Sequence, residues 1–281
     1  MPLIKVCLLP HSPLLIPEIG KTNHNFLDKT LIAYKKIKED LSTLKIETVI
    51  VISPHNQIGD DFFVINSAPE MELSFPDFGF IPQKNFLKGD ILLSDIIKNQ
   101  LKNDLPLRSI SENKLDYGSA IPLYLLKTPE TSFKILTISP AEKLELKEHF
   151  AGGEKLAQII EASNKRIALI ISGDLSHRLK RKSPGGYSPK GAKFDNKLIE
   201  YLSEPETAKE NILNMDKKLI SEASECGLKP IVMAIGILNK LTWESHILAY
   251  QTDFGIGYLS LEFILKKEIK KTNISENSNS I

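Results

Sequence analysis

The chain of 281 residues carries 36 Lys+Arg against 35 Asp+Glu, 42% hydrophobic residues, six histidines and two cysteines. A formal net charge of +1 supplies no broad basic field for a phosphate backbone, so no nucleic-acid partner is expected, and a chain this long and apolar has ample core, which excludes global disorder. Cys7 and Cys226 can build neither a disulfide framework nor a four-cysteine zinc site, and a reducing cytoplasm is the expected setting.

In chain order, residues 3–9 read as a strand, and the prolines at 2, 10, 13 and 17 break the apolar start so that it does not resemble an export signal. Residues 26–44 carry Leu27, Leu31, Ile32, Ile37 and Leu41 at near-helical spacing. Strands are predicted at 48–53 and 62–67, then an elaborated loop over 68–88, then a strand at 133–139. Ser139-Pro140-Ala141-Glu142 has the form of an N-cap, a first-turn proline and a reciprocal acid, which predicts a helix start. A strand at 166–172, helices at 190–202 and 228–241, and strands at 246–251 and 257–263 complete the reading. The longest apolar runs, such as residues 231–238, fall far short of the roughly 20 residues that span a bilayer, so no membrane partner is expected. Strand-like runs alternating with amphipathic stretches predict an α/β layered fold. Residues 1–265 form one domain in this reading, and 266–281 a polar, flexible tail in which Asn273-Ile274-Ser275 is a chance glycosylation match.

The histidines carry the chemical information. The strand at 3–9 ends in Pro10-His11-Ser12-Pro13, that at 48–53 in Pro54-His55-Asn56, and that at 166–172 in Gly173-Asp174-Leu175-Ser176-His177. A proline after a strand stops the ladder and keeps its predecessor extended, which delivers the histidine at the strand's carboxyl end, where open α/β sheets form their sites. His24 and His149 are expected to be solvated, and His246 to be structural on a strand edge.

Two histidines and one carboxylate leave three open positions on an octahedral ferrous ion, enough for a bidentate substrate and dioxygen. Glu225, ahead of the apolar helix, is the carboxylate candidate; the competing reading is an acid placed at a helix start by the dipole. Cys226 is an alternative ligand, and its thiolate would favour zinc or copper(I). No Gly-x-Ser-x-Gly elbow or phosphate-binding glycine loop is present. A Cys226–His177 thiol–imidazole pair is a remote third possibility.

These motifs, together with Leu115-Asp116-Tyr117-Gly118-Ser119-Ala120-Ile121-Pro122-Leu123, Glu225-Cys226-Gly227 and Gly255-Ile256-Gly257-Tyr258, resemble the LigB-like class III extradiol dioxygenases and their relatives, the Memo-like proteins. The resemblance covers most of the chain. It implies a three-layer α/β/α fold with a mixed central sheet, commonly assembled as homo-oligomers. It further implies a non-haem Fe(II) held by His11, His55 and Glu225, with His177 as acid and base, Asp174 orienting it, and a small catechol-type aromatic opened by O2. Dioxygenase members often read Asp-His-Gly where this chain has Asp116-Tyr117-Gly118. Tyr117 therefore offers a hydrogen-bonding phenol in place of an imidazole and does not titrate near neutrality. Cys226-Gly227 is similar to the Memo-like proteins, in which a cysteine takes the third position of the metal cluster; that resemblance implies a copper-linked metal-binding redox or interaction protein without ring cleavage, using His11, His55, His177 and Cys226.

Overall fold

Strands whose residues are apolar at every position, rather than alternately, must be covered on both faces, and residues 167–171 and 49–52 have that character. The computed structural model describes residues 1–55, 60–83 and 85–266. Its strands are β1 (Leu3–Leu9), β2 (Thr48–Ile52), β3 (Phe63–Asn66), β4 (Glu70–Glu72), β5 (Phe86–Lys88), β6 (Leu107–Ile110), β7 (Lys134–Ser139), β8 (Ile167–Ser172), β9 (Trp243–Gln251) and β10 (Tyr258–Leu265). The helices are α1 (Pro17–Gly20), α2 (Asp28–Thr43), α3 (Ile91–Leu101), α4 (Tyr117–Leu126), α5 (Leu146–Glu161), α6 (Pro189–Ser203), α7 (Pro205–Leu213), α8 (Lys217–Ala223) and α9 (Leu228–Leu238).

Eight strands form one sheet in the order β6-β3-β7-β2-β8-β1-β10-β9. The central run β7-β2-β8-β1 is parallel, so its four carboxyl ends emerge on one edge. Toward one side β3 runs antiparallel to β7 and parallel to β6; toward the other β10 and β9 are antiparallel. The sheet is therefore mixed.

The two-residue period of a strand sends successive side chains to opposite faces. Leu8, Ile50, Ile52, Leu169 and Ile171 accordingly join a core with α5, α6 and α9, whereas Cys7, Val49, Val51, Ala168 and Ile170 join a second core with α2 and α4. The result is a three-layer α/β/α architecture, as expected. Helices α5 and α9 touch through their backbones: a Cβ on Gly153 would stand 2.1 Å from the Met233 carbonyl oxygen, and one on Gly236 would stand 2.2 Å from that of Phe150. Among the described residues no helix is long and apolar enough to cross a membrane.

Three expectations are corrected. The elaborated loop holds a small ladder of β4 and β5, pinned by the buried side chains of Met71 and Leu87. The helix predicted from Ser139 begins at Leu146 instead, because Ser139 still pairs with Val64 in the sheet; the reciprocal cap is Glu145 with Glu148. His149, expected in solvent, is fully buried. Its ring nitrogens lie 2.8 and 3.0 Å from the carbonyls of Glu145 and Ala141, and its ring meets Phe63 edge to face. His246 lies exposed on the edge strand β9, and the polar tail beyond residue 266 falls outside the described residues.

Candidate metal centre

The carboxyl ends of β1, β2 and β8 deliver His11, His55 and the Asp174–His177 loop to one point. His11 is buried, and its backbone N–H donates to Asp174 Oδ1 at 3.1 Å. The carbonyl of the preceding Pro10 accepts the Tyr34 hydroxyl at 2.6 Å, which ties the turn to α2. His55 follows Ser53, whose hydroxyl donates to Asp116 Oδ1 at 2.5 Å. Asp116 also caps α4, accepting the backbone N–H and the hydroxyl of Ser119 at 2.9 and 2.8 Å. One short carboxylate thus fastens the β2 turn to the helix that presents Tyr117.

The Nε2 atoms of His11 and His55 stand 2.9 Å apart, and Cys226 Sγ lies 3.5 Å from His11 Nε2. A ligand atom from each of His11, His55 and Cys226 lies within 4.8 Å of the others, a group able to hold a metal ion. The Tyr117 ring stacks on His55, with centroids 4.3 Å apart, and its hydroxyl is 2.9 Å from His55 Nε2. Phe78 meets Tyr117 edge to face. A cavity of about 620 Å³, lined by His55, Tyr117, Phe75 and Phe78 among others, opens on this edge.

Asp174 Oδ2 lies 3.8 Å from His11 Nε2 and 3.9 Å from His177 Nε2. His177 Nε2 is buried with no hydrogen-bond partner among the described residues, which is costly unless something arrives to use it. Glu225 points elsewhere, its Oε2 accepting the Leu228 N–H at 2.6 Å in the first turn of α9. The thiol of Cys226 faces the imidazoles, and the carboxylate of Glu225 serves the helix start. The two loops involved cross closely, since a Cβ on Gly173 would lie 2.5 Å from Gly227 Cα.

Burial pushes His11 and His55 down to about 3, assisted at His11 by nearby His177 and at His55 by nearby His11. Both rings are therefore neutral, the form that ligates metals. Burial raises the Cys226 thiol and the Tyr117 phenol, and carries Asp174 up to about 6 and Glu225 to about 7. A divalent cation among these groups would favour the deprotonated thiol. Sequence reasoning did not single out Asp116, Ser172 or Phe78. Asp116 had a readable signal, an Asp three residues ahead of Ser119 at the head of an apolar run.

Over residues 5–260 the sequence matches the family described as the catalytic LigB subunit of aromatic ring-opening dioxygenase. The chain belongs to the LigB family. A relative of this LigB-family chain, Protein CA_C1420 of Clostridium acetobutylicum, is 29% identical over 261 residues; the match takes in 89% of this chain and 55% of that protein, so the chain spans about half of its relative's length. The 3,4-dihydroxyphenylacetate 2,3-dioxygenase of Escherichia coli is 22% identical over 204 residues, covering 68% of this chain and 73% of that one. In structure, the uncharacterized protein JW3007 from Escherichia coli K12 superposes with a TM-score of 0.65 at 15% identity, over 92% of this chain and 99% of its own. That likeness establishes the fold of the LigB-family chain.

Proposed function

We propose that this LigB-family chain is a non-haem Fe(II)-dependent ring-opening dioxygenase for a catechol-type aromatic. His11 and His55 would hold the ion, with Cys226 in preference to Glu225 as the third donor. The observation that carries the reading is the convergence of two imidazoles and a thiol beside the buried Nε2 of His177, which has no partner among the described residues. The donor set suits a first-row transition ion, here Fe(II), with zinc and copper(I) as alternatives because a thiolate is soft. Such an ion supplies Lewis acidity and, if it is iron, the redox chemistry that dioxygen requires.

The protein's own part is positional. His177 Nε2 is aimed to take a proton from an incoming hydroxyl, with the Asp174 carboxylate 3.9 Å away to steady the charge. Tyr117 keeps its proton and donates a hydrogen bond, and its ring with Phe78 forms an aromatic wall against which a flat substrate packs. The test is to purify the protein, measure its metal, reconstitute it anaerobically with ferrous iron and follow oxygen uptake over a catechol panel. The carboxylate-bearing substrate named for the Escherichia coli relative belongs in that panel.

A second reading is supported by the thiol donor: a metal-binding redox or interaction protein without ring cleavage. Stoichiometric copper with no oxygen uptake across the panel would favour it and sink the dioxygenase. A cytoplasmic homo-oligomer is part of the first proposal, and light scattering on the purified chain checks the assembly.

A further inference from the structure

We propose that Pro122, Gly118 and Ser172 form a relay that fixes the tautomer of His11 and so presents its Nε2 as the ligating atom; this rests on the reading of His11 as a metal ligand. The relay starts from a covalent fact. In an α-helix the carbonyl of one residue accepts the N–H four residues on. Four residues after Gly118 in α4 stands Pro122, which has no N–H. The Gly118 carbonyl is thereby released from the helix ladder, and the hydroxyl of Ser172, at the end of β8, donates to it at 2.5 Å.

A serine hydroxyl has a single proton. With that proton on the Gly118 carbonyl, Ser172 Oγ can only accept from His11 Nδ1, which lies 2.8 Å away. The reverse order would set the Ser172 and Gly118 oxygens against each other at 2.5 Å with no proton between them. His11 is thus the Nδ1–H tautomer, and its lone pair sits on Nε2, the atom that faces His55 Nε2 at 2.9 Å and Cys226 Sγ at 3.5 Å. Ser172 is fully buried, so water does not compete.

The glycine is required by space. A Cβ at position 118 would lie 2.5 Å from Ser53 Oγ and 3.0 Å from His55 Cδ2. The same residue therefore admits the second imidazole and, through its carbonyl, orients the first. The proline within α4 is a positioning residue acting through Gly118 and Ser172, two contacts away from the ring it controls.

Nitrogen NMR of isotopically labelled imidazoles in the metal-free protein near neutral pH reads the tautomer directly, and competition of added ferrous ion against a chelator, without oxygen, reads affinity. Wild-type His11 is expected as Nδ1–H. Ser172→Ala is expected to admit the Nε2–H form and to weaken ferrous binding by about 10- to 100-fold, the usual effect of removing a partner behind a metal-bound imidazole. Ser172→Thr keeps both properties. Pro122→Ala returns an N–H that competes for the Gly118 carbonyl, and moves both readouts the same way by less. A wild-type Nε2–H signal at His11, or unchanged tautomer and affinity in Ser172→Ala, overturns the relay. The wild-type spectrum decides even if the variants do not fold. Since neither readout uses catalysis, the relay and the ring-opening activity fail or survive separately.

Discussion

The thiol of Cys226 lies 3.5 Å from His11 Nε2, whereas the adjacent Glu225 carboxylate is bonded to the backbone of α9. Their roles predict opposite outcomes on substitution. Cys226→Ala should lower metal affinity at least tenfold while leaving the fold in place. Glu225→Gln, whose amide oxygen still accepts the Leu228 N–H, should retain the metal. Metal content after dialysis against a weak chelator separates them, and retention in Cys226→Ala with loss in Glu225→Gln would reverse the assignment.

The proposed role of His177 is to move a proton without being a ligand. His177→Ala should bind iron like the wild type and lose turnover by roughly a hundred- to ten-thousand-fold, the usual reach of a general acid or base. Iron content and oxygen uptake measured on the same preparation check this. A variant that loses its iron would show that the ring belongs to the coordination sphere.

Asp90 makes part of the fold's stability depend on pH in acid. Its carboxylate caps α3 and accepts from Lys165 at 2.6 and 2.7 Å and from the Thr48 hydroxyl at 2.6 Å. Burial alone would raise it, but the Lys165 ammonium, Thr48 hydroxyl and Leu93 amide outweigh burial and hold it below its ordinary value. A depressed folded-state pKa stabilises above the unfolded value of about 3.9. The contribution is therefore whole at neutral pH and lost as pH falls through the lower folded value. Asp90→Asn should cost about 2 kcal/mol at neutral pH, and urea midpoints for the two proteins should converge toward low pH.

The backbone contact between α5 and α9 leaves no room for a methyl group. Gly236→Ala, with its new Cβ against the Phe150 carbonyl, should cost about 1 to 3 kcal/mol through overpacking. A thermal melt reads this, and an unchanged melting temperature would mean that the helices can separate freely.

The parallel strands β1, β2 and β8 were legible because each is a largely apolar run closed by a proline or a glycine turn, at Pro10, Pro54 and Gly173. For the same reason the three histidines that follow such strands, His11, His55 and His177, could be sorted from the rest. The short strands β4, β5 and β6 were not legible: three or four residues, partly exposed, give no period to read, and pairing alone makes them strands. His149 shows the limit of helical charge patterns, since charged neighbours surround it in sequence while Phe63 and two carbonyls surround it in space. Glu225 and Cys226 are adjacent in sequence, and only the path of the chain into α9 decides which side chain turns toward the imidazoles.

That path is governed by the crossing of Gly173 and Gly227. The backbone at Gly227 has φ −86° and ψ −18°, which any residue can adopt, so the glycine answers to clearance and not to conformation. The loop that carries Cys226 is thus held closely against the one that carries Asp174. As the third donor proposed above, Cys226 would then be limited in length by a gap between two main chains, a restriction of space that acts before any electronic preference among ions.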